Sequence, residues 1–175
     1  IESPCLTYGG DDGELRYAMA GTNLGDWSRL FFASYRDMNW EVYGANGDGS
    51  SPNRLTYVAA VDSRPESCPG CSQIVFDSSR VGNYDVYRMN PDGAELVRLT
   101  THIMNEYQPT WSPDGSYVAY YAYPAAPSDA EIYVMNADGT GKIRLTWDAA
   151  WDGHPTWSPD GGKIASVSYT HLRAH

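Results

Sequence analysis

The sequence predicts an all-β fold: a β-propeller of four-stranded antiparallel blades, present as an open partial ring of about three to four blades. Residues 109–115 return letter for letter at residues 155–161, 46 positions later. Each repeat contains short segments rich in β-forming residues, separated by turn sequences. No segment shows the 3.6-residue period of an amphipathic helix. A repeat of this length is one supersecondary unit that buries its apolar face by stacking on its copies.

Other parts of the chain repeat with the same spacing. Residues 132–139 match residues 86–93, and residues 42–49 form a weaker copy. The tripeptide Arg-Leu-Thr occurs three times, and its leucines are 44 and 46 residues apart. The chain therefore contains three copies of the unit, with partial units at its ends.

The best-preserved unit predicts its own strands. Ser-Pro-Asp-Gly at residues 112–115 and Asn-Ala-Asp-Gly at residues 136–139 have the chemistry of tight turns, since proline presets φ, aspartate bonds the local backbone and glycine accepts a positive φ. Four antiparallel strands in about 45 residues form the blade of a propeller. The predicted strands are one ending at Trp111, then residues 117–123, 131–135 and 142–146.

The same spacing divides the chain into units. A closed ring of six units needs about 270 residues at this period, so we expect an incomplete fragment whose open blade edges self-associate. Residues 169–175 leave the repeat pattern and are expected to be an artefactual tail. The predicted units are residues 1–28, a partial or degenerate N-terminal blade; residues 29–71, 72–115 and 116–161, three blades; and residues 162–175, a truncated blade start.

Taken together, Trp-Ser-Pro-Asp-Gly, a tyrosine-rich and alanine-rich strand, Ile-Tyr-Val-Met-Asn-Ala-Asp-Gly and Arg-Leu-Thr resemble the WD40-like repeat of the TolB propeller family, most strongly over residues 84–167. The resemblance implies a non-enzymatic protein-interaction scaffold of the bacterial cell envelope, periplasmic or secreted, whose partner is not identified. Similar repeats occur in prolyl-oligopeptidase-type serine peptidases. The alternatives are therefore a gating domain of such a peptidase, or a carbohydrate-binding or carbohydrate-active propeller.

Composition excludes some partners. The 175 residues carry a net charge of −10, which argues against nucleic acid because phosphates select basic surfaces. No apolar run approaches the roughly 18–20 residues that span a bilayer. The acidic balance does not identify a partner, and solvated loops and turns are the favoured explanation of it.

Cys68 and Cys71 frame the turn that replaces Trp-Ser-Pro-Asp-Gly in the weaker copy. The spacing allows a disulfide that pins a hairpin turn, a pair of reduced thiols, or half of a metal site. A metal site needs a second pair of ligands, and no second cysteine pair lies nearby, because Cys5 is isolated.

The candidate binding face combines two kinds of loop. In a propeller, the linkers between units and the loops between second and third strands lie at the same mouth of the channel. The linkers are residues 57–64, 101–108 and 147–154, and the loops are residues 35–39, 77–83 and 124–130. The alternative is a solvated face, and Trp147 and Trp151 could equally pack a linker down. The candidate binding residues are Arg36, Arg80, His102, Asn105, Glu106, Tyr107, Trp147, Asp148, Trp151, Asp152 and His154.

The sequence contains no motif typical of a catalytic or cofactor site. The sequence has neither a Gly-x-Ser-x-Gly elbow nor a His-Glu-x-x-His helix. The Asn-x-Asp-Gly turns lack the ligand series of a calcium loop, and residues 139–142 lack the spacing of a phosphate loop. The sequence therefore predicts no enzyme, catalytic residue, metal or cofactor.

Overall fold

A computed structural model describes residues 18–20, 29–123, 129–147 and 150–169. All regular structure in these ranges is β-strand, and they contain no helix of the length and apolarity that crossing a membrane requires. The strands are β1 (Ala18–Ala20), β2 (Arg29–Ser34), β3 (Glu41–Asn46), β4 (Asn53–Arg54), β5 (Asp62–Ser67), β6 (Ile74–Ser78), β7 (Asp85–Met89), β8 (Val97–Arg98), β9 (Glu106–Trp111), β10 (Tyr117–Ala122), β11 (Glu131–Asn136), β12 (Ile143–Arg144), β13 (Trp151–Trp157) and β14 (Ile164–Tyr169).

The strands form three four-stranded antiparallel sheets, β1–β4, β5–β8 and β9–β12, followed by the hairpin β13–β14. Within each sheet, sequence neighbours pair. The first strand of each sheet packs against the preceding sheet: β5 against β1–β3, β9 against β5–β7, and β13 against β9–β11. This is an open partial ring of propeller blades, so the predicted fold class is confirmed.

The predicted units and the observed sheets differ by one strand. The boundaries after residues 71, 115 and 161 fall between the first and second strands of a sheet. The turn after the first strand contains the most recognisable motif, Ser-Pro-Asp-Gly. Unit boundaries predicted from the sequence therefore fall at this turn. Of the predicted tail, Tyr169 ends β14, and residues 170–175 lie outside the described residues, as do residues 1–17 and 21–28.

The repeated turns are held by aspartate side chains. Asp114 Oδ1 accepts hydrogen bonds from Ser112 Oγ at 2.6 Å and the Ser116 backbone N at 3.0 Å. These bonds lower the pKa of Asp114. Gly115 closes the turn at φ 71°, and Asp160 repeats the arrangement in the next hairpin.

The Asn-x-Asp-Gly turns are ordinary hairpin turns. Asp48, Asp92 and Asp138 each accept a hydrogen bond at 2.9 Å from the backbone N two residues further on. Their Oδ1 atoms therefore bond to the turn itself. Over the described part of the chain, no group of three or more His, Cys, Asp or Glu side chains could hold a metal ion.

The Arg-Leu-Thr repeats fasten each fourth strand to the third. Thr56 Oγ1 accepts the Val42 backbone N–H at 2.9 Å and donates to the buried carboxylate of Glu41. Arg54 pairs with the same carboxylate. The third sheet repeats all three of these contacts, and the second repeats the backbone bond to the threonine and the arginine–carboxylate pair. The equivalent residues are Asp85, Arg98 and Thr100, and Glu131, Arg144 and Thr146.

The two repeated tryptophans pack between sheets. Trp111 is 2 % exposed in a cluster with Val75, Val118 and Met135. Trp157 is half-buried, and its Nε1 donates to the Thr110 carbonyl at 3.3 Å. Burial of these rings stabilises the stacking of the blades.

The structure joins Cys68 and Cys71 by a disulfide at the β5–β6 turn, one of the three arrangements that the sequence allows. The next sheet packs closely on it. A Cβ atom added to Gly115 would lie 2.8 Å from Cys68 Sγ. Only a glycine lets the β9–β10 turn approach the sulfur in this conformation.

Candidate functional site

A cavity of about 850 Å³ opens between the first three sheets. It lies where the predicted linkers and second–third loops meet. Asn39 and Asn83 join these two sets, since each donates from Nδ2 to two linker carbonyls at 2.7–3.0 Å. The lining residues are Ala33, Trp40, Val61, Ser63, Arg64, Tyr84, Asn105, Tyr107, Tyr121 and Tyr123.

Most lining residues come from a few equivalent positions of the repeat. Such positions are 44 residues apart in successive units, so the same backbone geometry presents a different side chain in each sheet. The matched pairs in adjacent units are Trp40 with Tyr84, Val61 with Asn105, and Ser63 with Tyr107. The repeat supplies the shape of the wall, and the differences between units supply its chemistry.

A bulge interrupts the first strand of each later sheet. The pairing register shifts beside Arg64, Gln108 and His154, each of which precedes a proline. All three have positive φ values of 51–53°. A non-glycine residue in this region is strained, and bulges of this kind re-aim side chains next to functional sites. The bulge at Arg64 places its side chain on the cavity wall.

Arg64 is paired with a buried carboxylate. Its Nη1 lies 3.0 Å from Oδ2 of Asp77, and the same oxygen accepts the Gln108 backbone N–H at 2.9 Å. The other oxygen, Oδ1, accepts a hydrogen bond from the Ser63 hydroxyl. Burial raises the pKa of Asp77, although Arg64 acts in the opposite direction. The prediction placed Asp77 in a loop, but it lies in β6.

Tyrosines form one wall. The Tyr107 ring centroid lies 4.7 Å from that of Tyr84 and 5.5 Å from that of Tyr121, and Tyr123 meets it edge-on at 6.1 Å. The Arg64 guanidinium lies 5.5 Å from the Tyr107 centroid. Burial raises the pKa of Tyr121 to about 12, so its hydroxyl keeps its proton at neutral pH.

Two predicted binding residues, Asn105 and Tyr107, line the cavity. Asn105 Oδ1 accepts the Tyr84 backbone N–H at 3.0 Å, which directs the amide. Trp151 and His154 lie beside the wall. Trp151 meets Tyr121 edge-on, with ring centroids 5.6 Å apart, and donates from Nε1 to the Tyr123 hydroxyl at 2.9 Å. Trp151, Asp152 and His154 belong to β13, so their predicted position in a linker was wrong.

The other predicted residues are spread along the same face. Arg36 and Arg80 lie over Tyr43 and Tyr87 at 4.7 and 4.6 Å, and Arg80 also pairs with buried Asp62. His102 and Trp147 are exposed, and Asp152 is buried. Asp148 lies outside the described residues.

Glu106 is buried at the start of β9, so it is a structural carboxyl rather than an exposed contact residue. Burial raises its pKa to about 7, and Asp85 beside it acts in the same direction. Asp62 occupies the equivalent position one sheet earlier and has Arg80 as a partner. The third sheet has no arginine at the position equivalent to Arg80, and Glu106 Oε2 has no hydrogen-bond partner among the described residues.

Six lining residues with polar or aromatic side chains were not among the residues predicted from the sequence. Three of these residues lie in strands, and the other three lie directly beside a strand end. A comparison of the units, position by position, would have found them as places where the units differ inside a preserved frame. The missed residues are Trp40, Ser63, Arg64, Tyr84, Tyr121 and Tyr123.

The cavity lies in a face that also exposes apolar side chains. We call this the loop face: the β2–β3, β6–β7 and β10–β11 loops with the β4–β5, β8–β9 and β12–β13 linkers. The turns at the opposite end consist mainly of Ser, Pro, Asp, Asn and Gly. In the described ranges, the large hydrophobic residues exposed at that end are Leu96 in a turn and Val97, Tyr117 and Ile143 at the starts of the strands that follow the turns. Exposed on the loop face are Tyr35, Met38, Tyr57, Val58, Val81, Ile103, Tyr123, Leu145 and Trp147.

Antiparallel four-stranded sheets that stack through their first strands, with a cavity at the mouth, define a β-propeller protein. The chain belongs to the TolB beta propeller domain family, whose profile matches residues 18–126.

Solved structures agree with this assignment. A protein described as TolB from Agrobacterium tumefaciens superposes with a TM-score of 0.76 at 25% identity over 88% of this chain and 58% of its own. TolB from Acinetobacter baumannii gives 0.72 at 20% identity, over 83% of this chain and 36% of its own. The chain thus spans little more than half of the first relative. No curated protein matches it by sequence.

A third structure, an oligogalacturonate lyase in complex with manganese, gives a TM-score of 0.64 at 16% identity. It covers 83% of this chain, which matches 45% of the lyase. At this identity the likeness shows the fold alone.

Proposed function

We propose that the chain is a non-enzymatic scaffold that binds a protein partner through the loop face. The observation that carries this proposal is the difference between the two ends of the sheets. Met38 is 83 % exposed and Ile103 is 87 % exposed on the loop face, whereas polar turns dominate the opposite end. Exposed apolar side chains gathered on one face are characteristic of protein-binding surfaces.

The β2–β3 and β6–β7 loops of the loop face are tied to their linkers, which favours docking without folding on binding. Asn39 and Asn83 each tie a loop to a linker, and Arg144 lies 4.3 Å from the centroid of exposed Trp147. Ordered backbone beneath exposed aromatic and aliphatic side chains lowers the entropic cost of association.

The location comes with the resemblance to TolB. We infer a periplasmic or secreted protein, and the disulfide between Cys68 and Cys71 fits an oxidising compartment. The absence of catalysis is part of the same proposal. It is supported by a cavity wall whose described residues include neither histidine nor cysteine.

Site-specific photocrosslinking tests the proposal. A photoreactive residue at Met38 or Ile103, in the whole chain incubated with bacterial envelope extract, should capture one protein. The same group at Leu96, exposed at the opposite end, is the matched control and should not capture it. Purified partner should then bind Ile103→Asp at least tenfold more weakly than the parent chain. Equal capture at Leu96, or an unchanged affinity, would count against the proposal.

A further inference from the structure

We propose that the cavity in the loop face binds a neutral saccharide. The first argument is charge. Arg64 is the one charged residue among the ten that line the cavity, and its ion pair with buried Asp77 balances it. The wall is therefore neutral overall within a chain of net charge −10. The protein's net negative charge would repel a polyanion, and Arg64 would repel a cation.

The second argument is the mixture of surfaces. A pyranose ring has apolar C–H faces and a rim of hydroxyl groups, so it needs aromatic faces with hydrogen-bonding groups between them. Tyr84, Tyr107 and Tyr123 supply aromatic surface within one cluster, and Trp40 lines the same cavity. Small-ligand sites of this kind have volumes of about 300–1,000 Å³, a range that includes this cavity.

The third argument is the orientation of the polar groups. Asn105 uses Oδ1 to accept the Tyr84 backbone N–H, so its Nδ2 is turned away as a donor. The Tyr121 hydroxyl stays protonated and can donate to a sugar oxygen. Neutral donors fixed by the fold favour hydroxyl oxygens without requiring a charged ligand.

This site goes beyond the proposed scaffold function and does not depend on it. Protein docking uses Met38 and Ile103, which are exposed on the loop face and do not line the cavity, whereas the saccharide would contact the lining side chains. The cavity could instead receive an anchor side chain from a docked protein, and the experiment includes that outcome.

Calorimetric titration of the whole chain tests the proposal. The probes are cellobiose, maltose, lactose and N,N′-diacetylchitobiose, with trigalacturonate as the anionic arm. We expect saturable binding of at least one neutral disaccharide, with a Kd on the order of 1 mM, and no binding of trigalacturonate. Tyr84→Ala and Asn105→Ala should weaken binding at least tenfold, while Tyr84→Phe keeps the ring and most of the affinity.

Tyr57→Ala is the matched control, since Tyr57 is 70 % exposed on the loop face but does not line the cavity. It should bind as the parent does. The proposal is overturned if the folded chain binds none of the neutral sugars, binds trigalacturonate more tightly, or binds equally well without Tyr84. It is also overturned if the photocrosslinked partner loses affinity for Tyr84→Ala while no sugar binds. If no sugar binds, the photocrosslinking result at Met38 and Ile103, which tests the scaffold function, is unaffected.

Discussion

Arg64 and Asp77 form a 3.0 Å ion pair between the first two strands of the second sheet, and no other unit repeats it. Gln108 and His154 occupy the position of Arg64 in later sheets, and Ala33 occupies the position of Asp77 in the first. The pair is therefore a feature of one unit, placed at the cavity that this unit shares with its neighbours.

Loss of Arg64 should be costly. Arg64→Ala leaves the buried Asp77 carboxylate without its cation, and we expect the free energy of unfolding to fall by about 3–5 kcal/mol at pH 7. Urea denaturation of the parent and of Arg64→Ala measures this difference in the free energy of unfolding. In Arg64→Ala/Asp77→Ala the loss should be at least about 1 kcal/mol smaller than the sum of the single losses. Strict additivity would show that the two side chains do not interact.

Glu66 should make stability depend on pH. It accepts hydrogen bonds from the Thr110 hydroxyl and the Trp111 backbone N, both at 3.0 Å and both on Oε1. Burial nevertheless raises the pKa of Glu66 from 4.5 to about 7. The folded state therefore binds a proton more tightly than the unfolded state between these values. The stabilisation of the folded state by protonated Glu66 is complete below pH 4.5 and is lost as the pH rises through about 7.

Glu66→Gln isolates this effect, because the amide oxygen can accept both bonds without a charge. We expect it to exceed the parent in free energy of unfolding by about 1–3 kcal/mol at pH 8, with the difference disappearing near pH 4.5. Thermal melts of the variant and the parent between pH 4.5 and pH 8 measure this difference in the free energy of unfolding. Because the pKa of Glu106 is also raised to about 7, only the difference between variant and parent reports Glu66. A difference independent of pH would refute the assignment.

Thr56 should be needed for its hydroxyl rather than its shape. Thr56→Val leaves the Val42 backbone N–H without its acceptor and removes a donor from Glu41. We expect a loss of about 1–3 kcal/mol in the free energy of unfolding. Thr56→Ser keeps the hydroxyl and should lose less than half as much. Equal losses would assign the effect to packing of the methyl group.

Gly115 should be constrained by the disulfide as well as by its backbone. Gly115→Ala places a Cβ 2.8 Å from Cys68 Sγ at φ 71°, whereas Gly49→Ala at φ 81° meets no atom within 4 Å. Gly49→Ala should cost about 1 kcal/mol from backbone strain, and Gly115→Ala at least about 1 kcal/mol more. In a Cys68→Ala/Cys71→Ala background, the additional loss of Gly115→Ala relative to Gly49→Ala should disappear when the free energy of unfolding is measured at equilibrium. If it persists, the sulfur is not the obstacle.

The final hairpin should make the chain self-associate. Among the residues that the structure describes, β14 pairs only with β13, and Val167 and Tyr169 are 40 % and 59 % exposed. An exposed strand edge with apolar side chains is a template for pairing with a second copy. Sedimentation should show concentration-dependent association at micromolar protein, reduced by Val167→Lys. A monomer over that range would contradict the expectation.

The fold could be predicted because its turns and strands are determined by residues that are close together in the sequence. Ser112–Gly115 chemistry and the alternation of strand and turn act over a few residues, so the blade could be drawn from sequence. The cavity was not, because Ala33 and Tyr121 reach it from strands that are two units apart. The bulge at Arg64 also reverses the alternation of inward and outward side chains that a regular strand would show.

The regular spacing of the lining positions, 44 or 46 residues between successive units, gives the array a modular character. Where the second unit contributes Val61, Ser63 and Arg64, the fourth contributes Trp151, Gly153 and His154, on the same bulged strand. Each junction between blades thus offers the same set of positions with its own side chains. Duplication or exchange of a single unit would transfer one wall of a pocket intact, so ligand preference could diverge by recombination while the stacking of the blades is unchanged.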